Sequence, residues 1–339
     1  MEEDLNVAKK AELFLGGTVR LPNGFEVPTR VSMSTAGPGA GSASVVFRFG
    51  RFRVKKAISW DEGEFQLIES DGRLSILKEG MPFIDEVTIE PVVHHCPDQA
   101  FFNLDSRCIF NCAYCTSPRL KVTKSLTNED IIRMVDESID RIEAISLTSG
   151  VFDSVDMTVD RMVDCVRRLR ERYVDIPIGV EPYVSDRAHI EMFMDAGATE
   201  IKLNLETPSR QIFEKVCPDL SYDGIGILLR EAVSIFGRGN VSSNIIYGMG
   251  ETDDELMHSM DMLAEMGVIP VLRALKCNKI NRDALFVAIG DQPRITVERS
   301  MRLSLMLKDA LMRHGLRPED CKTMCIRCTC CDIIPFVDI

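Results

Sequence analysis

Three cysteines at short intervals mark the segment of this chain that is best suited to chemistry. Cys108, Cys112 and Cys115 follow the spacing C-x3-C-x2-C, and Tyr114 directly precedes the last of them. Three thiolates on so short a loop can hold three corners of a cubic four-iron cluster, which normally takes four cysteine ligands. One iron would stay open to an exchangeable ligand, as one position does in catalytic zinc sites. A zinc loop or three unrelated thiols are the alternative interpretations.

A second group of cysteines lies close to the C-terminus. It comprises Cys321, Cys325, Cys328, Cys330 and Cys331. These thiols are too close in sequence for sensible mutual disulfides, and four of them suffice for an auxiliary four-iron cluster. A zinc knuckle is the alternative, because Cys325-x2-Cys328 has zinc-ligand spacing, although paired zinc ligands usually lie about a dozen residues apart. The pattern predicts an auxiliary iron–sulfur cluster and does not identify the spare thiol.

The remaining cysteines have no such spacing. Cys277 could reach either cluster or be a packed core thiol, and Cys96, beside two histidines, is a similar case. Cys165 and Cys217 lie in helical segments, where a free thiol behaves as a small apolar residue, and both are predicted to be structural.

Bulk composition sets the class of protein. The chain has 339 residues, of which 45% are hydrophobic and 27% charged, as in ordinary globular proteins. No apolar run approaches the about 18 residues of a membrane span, and the acidic N-terminus has no signal-peptide pattern. We therefore expect a cytoplasmic protein with no membrane partner, and the net charge of -12 argues against a nucleic-acid partner.

The twelve cysteines are unusual for such a composition. Without a secretory signal they indicate metal or catalytic use rather than a disulfide framework. A cytoplasm that keeps iron–sulfur clusters intact, such as that of an anaerobe, is the expected setting.

Three regions must position these groups. Residues 1–98 alternate short β-like runs with turns, which predicts a small antiparallel sheet. The glycine-rich segment 37–41 is predicted to be a turn, because it lacks the Gly-Lys-Ser/Thr ending of a phosphate loop. Residues 291–339 comprise a helix and the cysteine-rich segment.

Residues 99–290 predict an α/β fold, because strands alternate with helices and such alternation gives a parallel sheet. One helix is predicted to begin near Thr127 with a capping-box-like opening. Six strand–helix units make a partial (βα)6 barrel, with its active site at the C-terminal ends of the strands. The predicted strands are residues 100–104, 143–148, 176–181, 200–206, 241–246 and 269–274.

The cluster loop and these elements resemble the radical S-adenosylmethionine (SAM) superfamily, specifically the branch that contains biotin synthase. The resemblance covers roughly residues 95–290. It implies a radical SAM barrel whose [4Fe-4S] cluster binds SAM at its open iron. An electron from the cluster would cleave SAM to a 5'-deoxyadenosyl radical, which abstracts hydrogen from an unactivated C–H bond. No catalytic residue beyond the cluster loop is then required, because the cofactor supplies the chemistry.

The resemblance also implies SAM-binding residues. Thr148-Ser149-Gly150 stands where many members have a Gly-Gly-Glu turn against the SAM amino group. Asn204 and Glu206 would point to one face of the fourth strand, because side chains two residues apart share a face.

Residues 244–251 are similar to the family pattern G-x-I-x-G-x-x-E, with asparagine in place of the first glycine. The similarity implies that Ile246 packs against adenine, that Gly248 permits close backbone approach and that Glu251 orders the loop. The SAM-binding residues implied by the resemblance are Tyr114, Thr148, Ser149, Gly150, Asn204, Glu206, Ile246 and Gly248.

The leading hypothesis for the reaction is sulfur insertion, in which the auxiliary cluster is the sulfur donor, as in biotin and lipoyl synthases. Its most concrete form is an activity like that of the two-protein archaeal lipoyl synthase. The partners would be a lipoyl-carrier protein bearing octanoyl-lysine, a companion radical SAM subunit, and an electron donor such as ferredoxin or flavodoxin.

Two alternatives remain. The chain could perform a radical rearrangement or methyl-transfer step in specialised cofactor biosynthesis, with an auxiliary cluster that is not consumed. It could instead be an iron–sulfur carrier or maturation scaffold.

Overall fold

The computed structural model describes residues 2–33 and 42–339, so the predicted glycine-rich turn at 37–41 lies outside the described residues. The N-terminal region contains helix α1 (Glu2–Leu15) and strands β1 (Val19–Arg20), β2 (Ser32–Met33), β3 (Ala43–Phe49), β4 (Phe52–Ser59), β5 (Phe65–Ser70), β6 (Arg73–Lys78) and β7 (Met81–Glu90). They form one sheet in the order β2-β3-β4-β1-β5-β6-β7, and a pairing of β3 with β7 closes it on itself.

This region differs from the predicted antiparallel sheet in two respects. Strand β1 runs parallel to both β4 and β5, and helix α1 was not foreseen. The helix buries Val7, Ala11 and Phe14, whose spacing forms one apolar face of a helix. That spacing was the available signal, and the helix covers one end of the sheet region by packing on β4.

The central region is a six-stranded parallel sheet in the order β13-β12-β11-β10-β9-β8. Its strands and helices alternate along the chain: β8 (Gln99–Asn103), α2 (Asn128–Asp136), β9 (Ala144–Thr148), α3 (Val155–Arg172), β10 (Ile178–Glu181), α4 (Arg187–Asp195), β11 (Glu200–Lys202), α5 (Arg210–Val216), α6 (Tyr222–Phe236), β12 (Val241–Tyr247), α7 (Asp253–Met266) and β13 (Val268–Ala274). The α/β class and the partial (βα)6 barrel are confirmed.

Local sequence explains where these helices begin. Thr127 accepts a hydrogen bond from the backbone N–H of Asp130, and the Asp130 carboxylate accepts one from the backbone N–H of Thr127. Thr252 and Glu255 make the same reciprocal pair at the start of α7. Each pair satisfies two backbone donors that a helix terminus otherwise leaves without partners.

Strand β11 is shorter than predicted. It ends at Lys202 rather than continuing to residue 206, and Glu206 has a φ of 71°, which interrupts an extended strand. The backbone nevertheless stays beside β12, because Glu206 N–H donates to Asn244 O at 3.1 Å and Ile246 N–H donates to Glu206 O at 2.7 Å.

The C-terminal region adds α8 (Arg282–Ile289), α9 (Val297–Arg313) and α10 (Met324–Cys328). The segment before α10 enters the barrel from the N-terminal ends of its strands. Met324 N–H donates to Gln99 Oε1 at 2.8 Å, and Thr323 N–H donates to Glu200 Oε2 at 3.0 Å. A Cβ on Gly179 would lie 2.2 Å from Thr323 Oγ1, so β10 accepts this segment only because it has no side chain there.

Among the helices in the described part of the chain, none combines the length and the apolar character that crossing a bilayer requires.

Candidate active site

A cavity of about 620 Å³ occupies the barrel and opens at the C-terminal ends of its strands. Each strand, or the turn that follows it, contributes to the wall through Asn103, Thr148, Glu181, Asn204, Ile246 and Ala274. This position agrees with the general rule that barrel enzymes place their active sites at the C-terminal ends of the strands. We call this space the central cavity.

The cysteine loop lies between β8 and α2. Cys108, Cys112 and Cys115 together line a smaller cavity of about 220 Å³ that adjoins the central cavity. Arg119 holds the loop closed, because its guanidinium donates to the backbone oxygens of Cys112 and Cys115, each at 2.9 Å. Burial raises the pKa of the Cys115 thiol to about 11, a penalty on the bare thiolate that a coordinated iron would offset.

The turn after β9 packs directly on this loop. Gly150 N–H donates to Asp105 O at 2.8 Å, and a Cβ on Gly150 would lie 2.1 Å from Arg107 O. Only glycine fits there, so backbone contact fixes Thr148, Ser149 and Gly150 against the smaller cavity, whose wall they share with the three cysteines.

Asn204 and Glu206 lie beyond β11, and both line the two cavities. The structure thus brings the two side chains to the same cavities, through an irregular turn rather than through the predicted strand alternation. The amide of Asn204 donates to Glu181 Oε1 at 2.8 Å and accepts from Asn244 N–H at 3.1 Å. Burial raises the pKa of Glu206 to about 7, against the opposing hydrogen bond from the Tyr114 hydroxyl.

At the end of β12 and in the turn that follows, one residue lines the central cavity and others only shape the turn. Ile246 lines the central cavity, whereas Gly248 lines neither cavity. Gly248 has a φ of 99°, and the buried Glu251 carboxylate accepts its N–H at 2.7 Å and that of Met249 at 2.8 Å. Gly248 shapes the turn, which Glu251 orders.

Asn244 is a site residue that sequence reasoning did not select. It lines the central cavity, and its side-chain oxygen is buried and finds no hydrogen-bond partner among the described residues. An acceptor in this state would accept a donor group of a bound ligand. Its replacement of the first glycine in the family pattern was the available signal.

Comparison with known proteins decides what this site resembles. The profile of the Radical SAM superfamily matches residues 103–263, which contain the cysteine loop and five of the six barrel strands or their ends. Residues 103–263 therefore have the sequence of a radical SAM domain.

Two curated relatives are lipoyl synthases. One, from Picrophilus torridus, is 26% identical over 196 residues, which are 51% of this chain and 64% of the relative. The other, from Buchnera aphidicola subsp. Schizaphis graminum, is 27% identical over 175 residues, or 50% of this chain and 53% of the relative. The match therefore spans less than two thirds of either lipoyl synthase.

Solved structures agree with the fold. The chain is similar to methylornithine synthase with a TM-score of 0.52 and 17% identity, covering 65% of this chain and 70% of that one. It is also similar to HydG, a maturase of the [FeFe]-hydrogenase, with a TM-score of 0.54 and 18% identity, covering 66% and 53%. At these identities the likeness concerns the fold alone.

The residues present fit the radical SAM cofactors. The three loop cysteines would hold the [4Fe-4S] cluster through three of its irons. Thr148, Ser149, Gly150, Asn204 and Glu206 surround the space beside them, and the unpartnered oxygen of Asn244 lies on the neighbouring wall. These groups would bind SAM.

The C-terminal cysteines face the same central cavity as this radical SAM site. Cys325, Cys328, Cys330 and Cys331 all line it, and so does Cys96. Cys321 does not line it: its thiol lies 3.9 Å from the backbone oxygen of Gly239.

The remaining cysteines are distributed as follows. Cys277 is exposed and Cys165 is buried. Cys217 is buried in the main core, and its Sγ lies 3.9 Å from the Tyr114 hydroxyl.

A polar chain runs from Cys325 toward the smaller cavity beside the cysteine loop. Lys202 Nζ lies 3.5 Å from Cys325 Sγ and 3.4 Å from Glu181 Oε1, and Glu181 in turn accepts from Asn204. Lys202 is 1% exposed, so its charge acts inside the barrel, where fixed charges interact strongly.

Among the described side chains, no group is arranged to bind a single metal ion. Within residues 2–33 and 42–339, no three His, Cys, Asp or Glu side chains converge as ligands of one metal ion do. A four-iron cluster instead binds each thiolate at a separate iron.

Proposed function

We propose that the chain is a radical SAM enzyme that inserts sulfur at unactivated C–H positions of an acyl chain, as a lipoyl-synthase-like enzyme. The observation that carries the proposal is the position of the second group of thiols, which line the same central cavity as the radical SAM site. A sulfur donor must reach the carbon from which hydrogen was removed, whereas a cluster that only passes electrons has no need to share the substrate cavity. The similarity to two lipoyl synthases supports the same reaction.

The radical SAM cluster with SAM would supply the hydrogen-abstracting radical, and the second cluster would supply sulfur. The chain itself would bind, orient and shield the reactants. Phe101, Phe102, Leu126 and Leu275 give the central cavity an apolar wall, which suits an aliphatic substrate such as an octanoyl chain. Water would be displaced from this wall, and a dry cavity prevents side reactions of reactive species.

The partners follow from this proposal. The octanoyl group would be presented as octanoyl-lysine on a lipoyl-carrier protein, and a companion radical SAM subunit would share the two sulfur insertions. An electron donor such as ferredoxin or flavodoxin would reduce the cluster of the cysteine loop.

The test is a sulfur-transfer assay under anaerobic conditions. The clusters are reconstituted with heavy-isotope sulfide, and the protein is incubated with SAM, a reductant and an octanoyl-lysyl carrier, with and without a companion subunit. The proposal predicts a thiolated carrier that contains the heavy isotope, together with loss of acid-labile sulfide from the protein.

A variant in which Cys108, Cys112 and Cys115 are alanine serves as the control and should give no product. Release of 5'-deoxyadenosine without thiolation would contradict sulfur insertion. A rearranged or methylated product with no loss of sulfide would favour the cofactor-biosynthesis alternative. Failure of an iron-loaded protein to cleave SAM would favour a carrier or scaffold.

A further inference from the structure

Four thiols from two distant parts of the chain form one buried group. Cys96 is 2% exposed, Cys328 6%, Cys330 1% and Cys331 8%, and they pack together with Val46 and Val92 in a cluster separate from the main core. The thiol of Cys330 lies 3.1 Å from the backbone oxygen of Cys328, and Cys96 and Cys330 are both neighbours of the Cys328 thiol. We call these four cysteines the buried thiol group.

Backbone contacts bring the two segments together. Cys96 follows β7 in a tight turn, in which Val93 N–H donates to Cys96 O at 2.7 Å. On the other side, Lys55 N–H in β4 donates to Cys330 O at 2.8 Å, and the Lys10 ammonium donates to Thr329 O at 2.7 Å. The N-terminal sheet and helix thus hold the C-terminal cysteines against Cys96.

The charges around the group favour an anionic occupant. The Lys55 ammonium is buried and contacts Ser32 Oγ at 3.1 Å and His95 O at 3.0 Å, and no carboxylate among the described residues forms an ion pair with it. Arg273 and Lys276 also line the cavity near Cys331, where Asp332 pairs with Arg273. Buried cations are expensive without anionic partners, and a cluster bound by four thiolates carries net negative charge.

The two other C-terminal cysteines have different surroundings. Cys321 packs in the main core beside Gly239, away from the buried thiol group. Cys325 lines the central cavity, but its thiol is paired with Lys202, toward the radical SAM site.

We propose that Cys96, Cys328, Cys330 and Cys331 are the four ligands of the auxiliary [4Fe-4S] cluster, and that Cys321 and Cys325 are not ligands. This inference rests on the second cluster of the proposed function. It makes the N-terminal region part of the metal site, because one ligand comes from the turn after β7 and the uncompensated cation Lys55 comes from β4.

The test compares single alanine variants of the full-length protein after anaerobic reconstitution, by iron content and Mössbauer spectra. Wild type should hold about eight irons. Cys96→Ala should still cleave SAM, while its auxiliary cluster, left with three thiolates, is either lost or shows one iron site with an altered Mössbauer signature. Cys321→Ala and Cys325→Ala should both hold about eight. Retained SAM cleavage shows that Cys96→Ala has folded, and Cys165→Ala is the matched control for loss of a buried thiol.

Two outcomes overturn the ligand assignment alone. One is a Cys96→Ala protein with about eight irons and the same Mössbauer spectrum as wild type. The other is loss of about four irons, or an altered spectrum of the auxiliary cluster, on substitution of Cys321 or Cys325. Wild type with only about four irons would overturn both the assignment and the second cluster of the proposed function. As a further variant, Cys96→Ser should keep the cluster in part and change its Mössbauer signature, since an oxygen would replace one thiolate.

Discussion

The two groups of cysteines differ in how the chain assembles them. The cysteine loop takes its thiols from residues 108–115, one loop at the C-terminal ends of the barrel strands. The buried thiol group combines the turn that contains Cys96 with residues 328–331, and its surroundings are rich in cations. A local group is visible in sequence as a motif, whereas a non-local group becomes visible only when the fold brings its parts together. The first would leave an iron open for SAM, and the second would complete the four-cysteine site proposed above.

The largest expected effect comes from removing one thiol of the cysteine loop. Cys115→Ala should abolish reductive SAM cleavage and lower the iron content from about eight to about four, because a cluster held by two protein thiolates is not retained. Measurement of 5'-deoxyadenosine and of iron per chain checks this. Cys277→Ala, which removes an exposed thiol just beyond β13, is the control. Equal losses in both variants would show that the effect is not specific to the loop.

The next effect concerns the C-terminal cysteines alone and comes from the contact between β10 and the segment before α10. Gly179→Ala places a methyl group where Thr323 Oγ1 would lie 2.2 Å and Thr323 Cβ 2.7 Å away. We expect the C-terminal segment to be displaced, at a cost of about 1–3 kcal/mol, with loss of about four irons and retention of SAM cleavage. Iron content and SAM cleavage are measured side by side.

The matched control is Gly226→Ala, because no atom lies within 4 Å of a Cβ at that helical position. Its iron content should equal that of wild type. If Gly179→Ala also keeps its full iron content, the C-terminal segment does not depend on its contact with β10.

A smaller effect concerns SAM binding. Asn204→Ala removes both the donor to Glu181 and the acceptor for Asn244 N–H, so we expect about tenfold weaker binding of SAM, or about 1.4 kcal/mol. Equilibrium dialysis with the anaerobically reconstituted protein measures the dissociation constant. Asn128→Ala, which breaks a contact with Asp164 on the surface, is the control. Unchanged binding in Asn204→Ala would remove this residue from the SAM site.

The smallest effect tests the charge around the buried thiol group. Lys55→Met should lower the reduction potential of the auxiliary cluster by on the order of tens of millivolts, because cluster potentials depend on nearby charge. Spectroelectrochemical titration measures it. Lys56→Met is the matched control, because Lys56 is equally buried but donates to the backbone oxygen of Gly16. The same reduction potential in wild type, Lys55→Met and Lys56→Met would show that Lys55 does not act on a cluster.

Sequence patterns predicted those elements that depend only on a short stretch of the chain. The barrel strands follow from apolar runs that alternate with helices, and the start of α2 follows from the Thr127 cap. The short β11 was not predictable, because the conformation of Glu206 depends on its pairing with β12. Helix α1 was missed, although its apolar spacing is present in the sequence.

The second site shows the limit of spacing arguments. Cys321 belongs to the C-terminal run of cysteines, but the turn after α9 places it in the main core. Cys96 has no motif of its own, and the contacts of β4 and α1 with residues 329–330 bring it to the other thiols. Lys202 lies in β11 and Arg273 near the end of β13, and no spacing in the sequence indicates that either side chain acts inside the barrel.

The most direct test of two clusters facing one cavity is the iron and acid-labile sulfide content per chain after anaerobic reconstitution. It should be measured in wild type and in two triple-alanine variants, one at Cys108, Cys112 and Cys115 and the other at Cys328, Cys330 and Cys331. The account predicts about eight irons in wild type and about four in each variant, with SAM cleavage lost only in the first. About four irons in wild type, none in the first variant, and zinc in these two proteins but not in the second variant would contradict it.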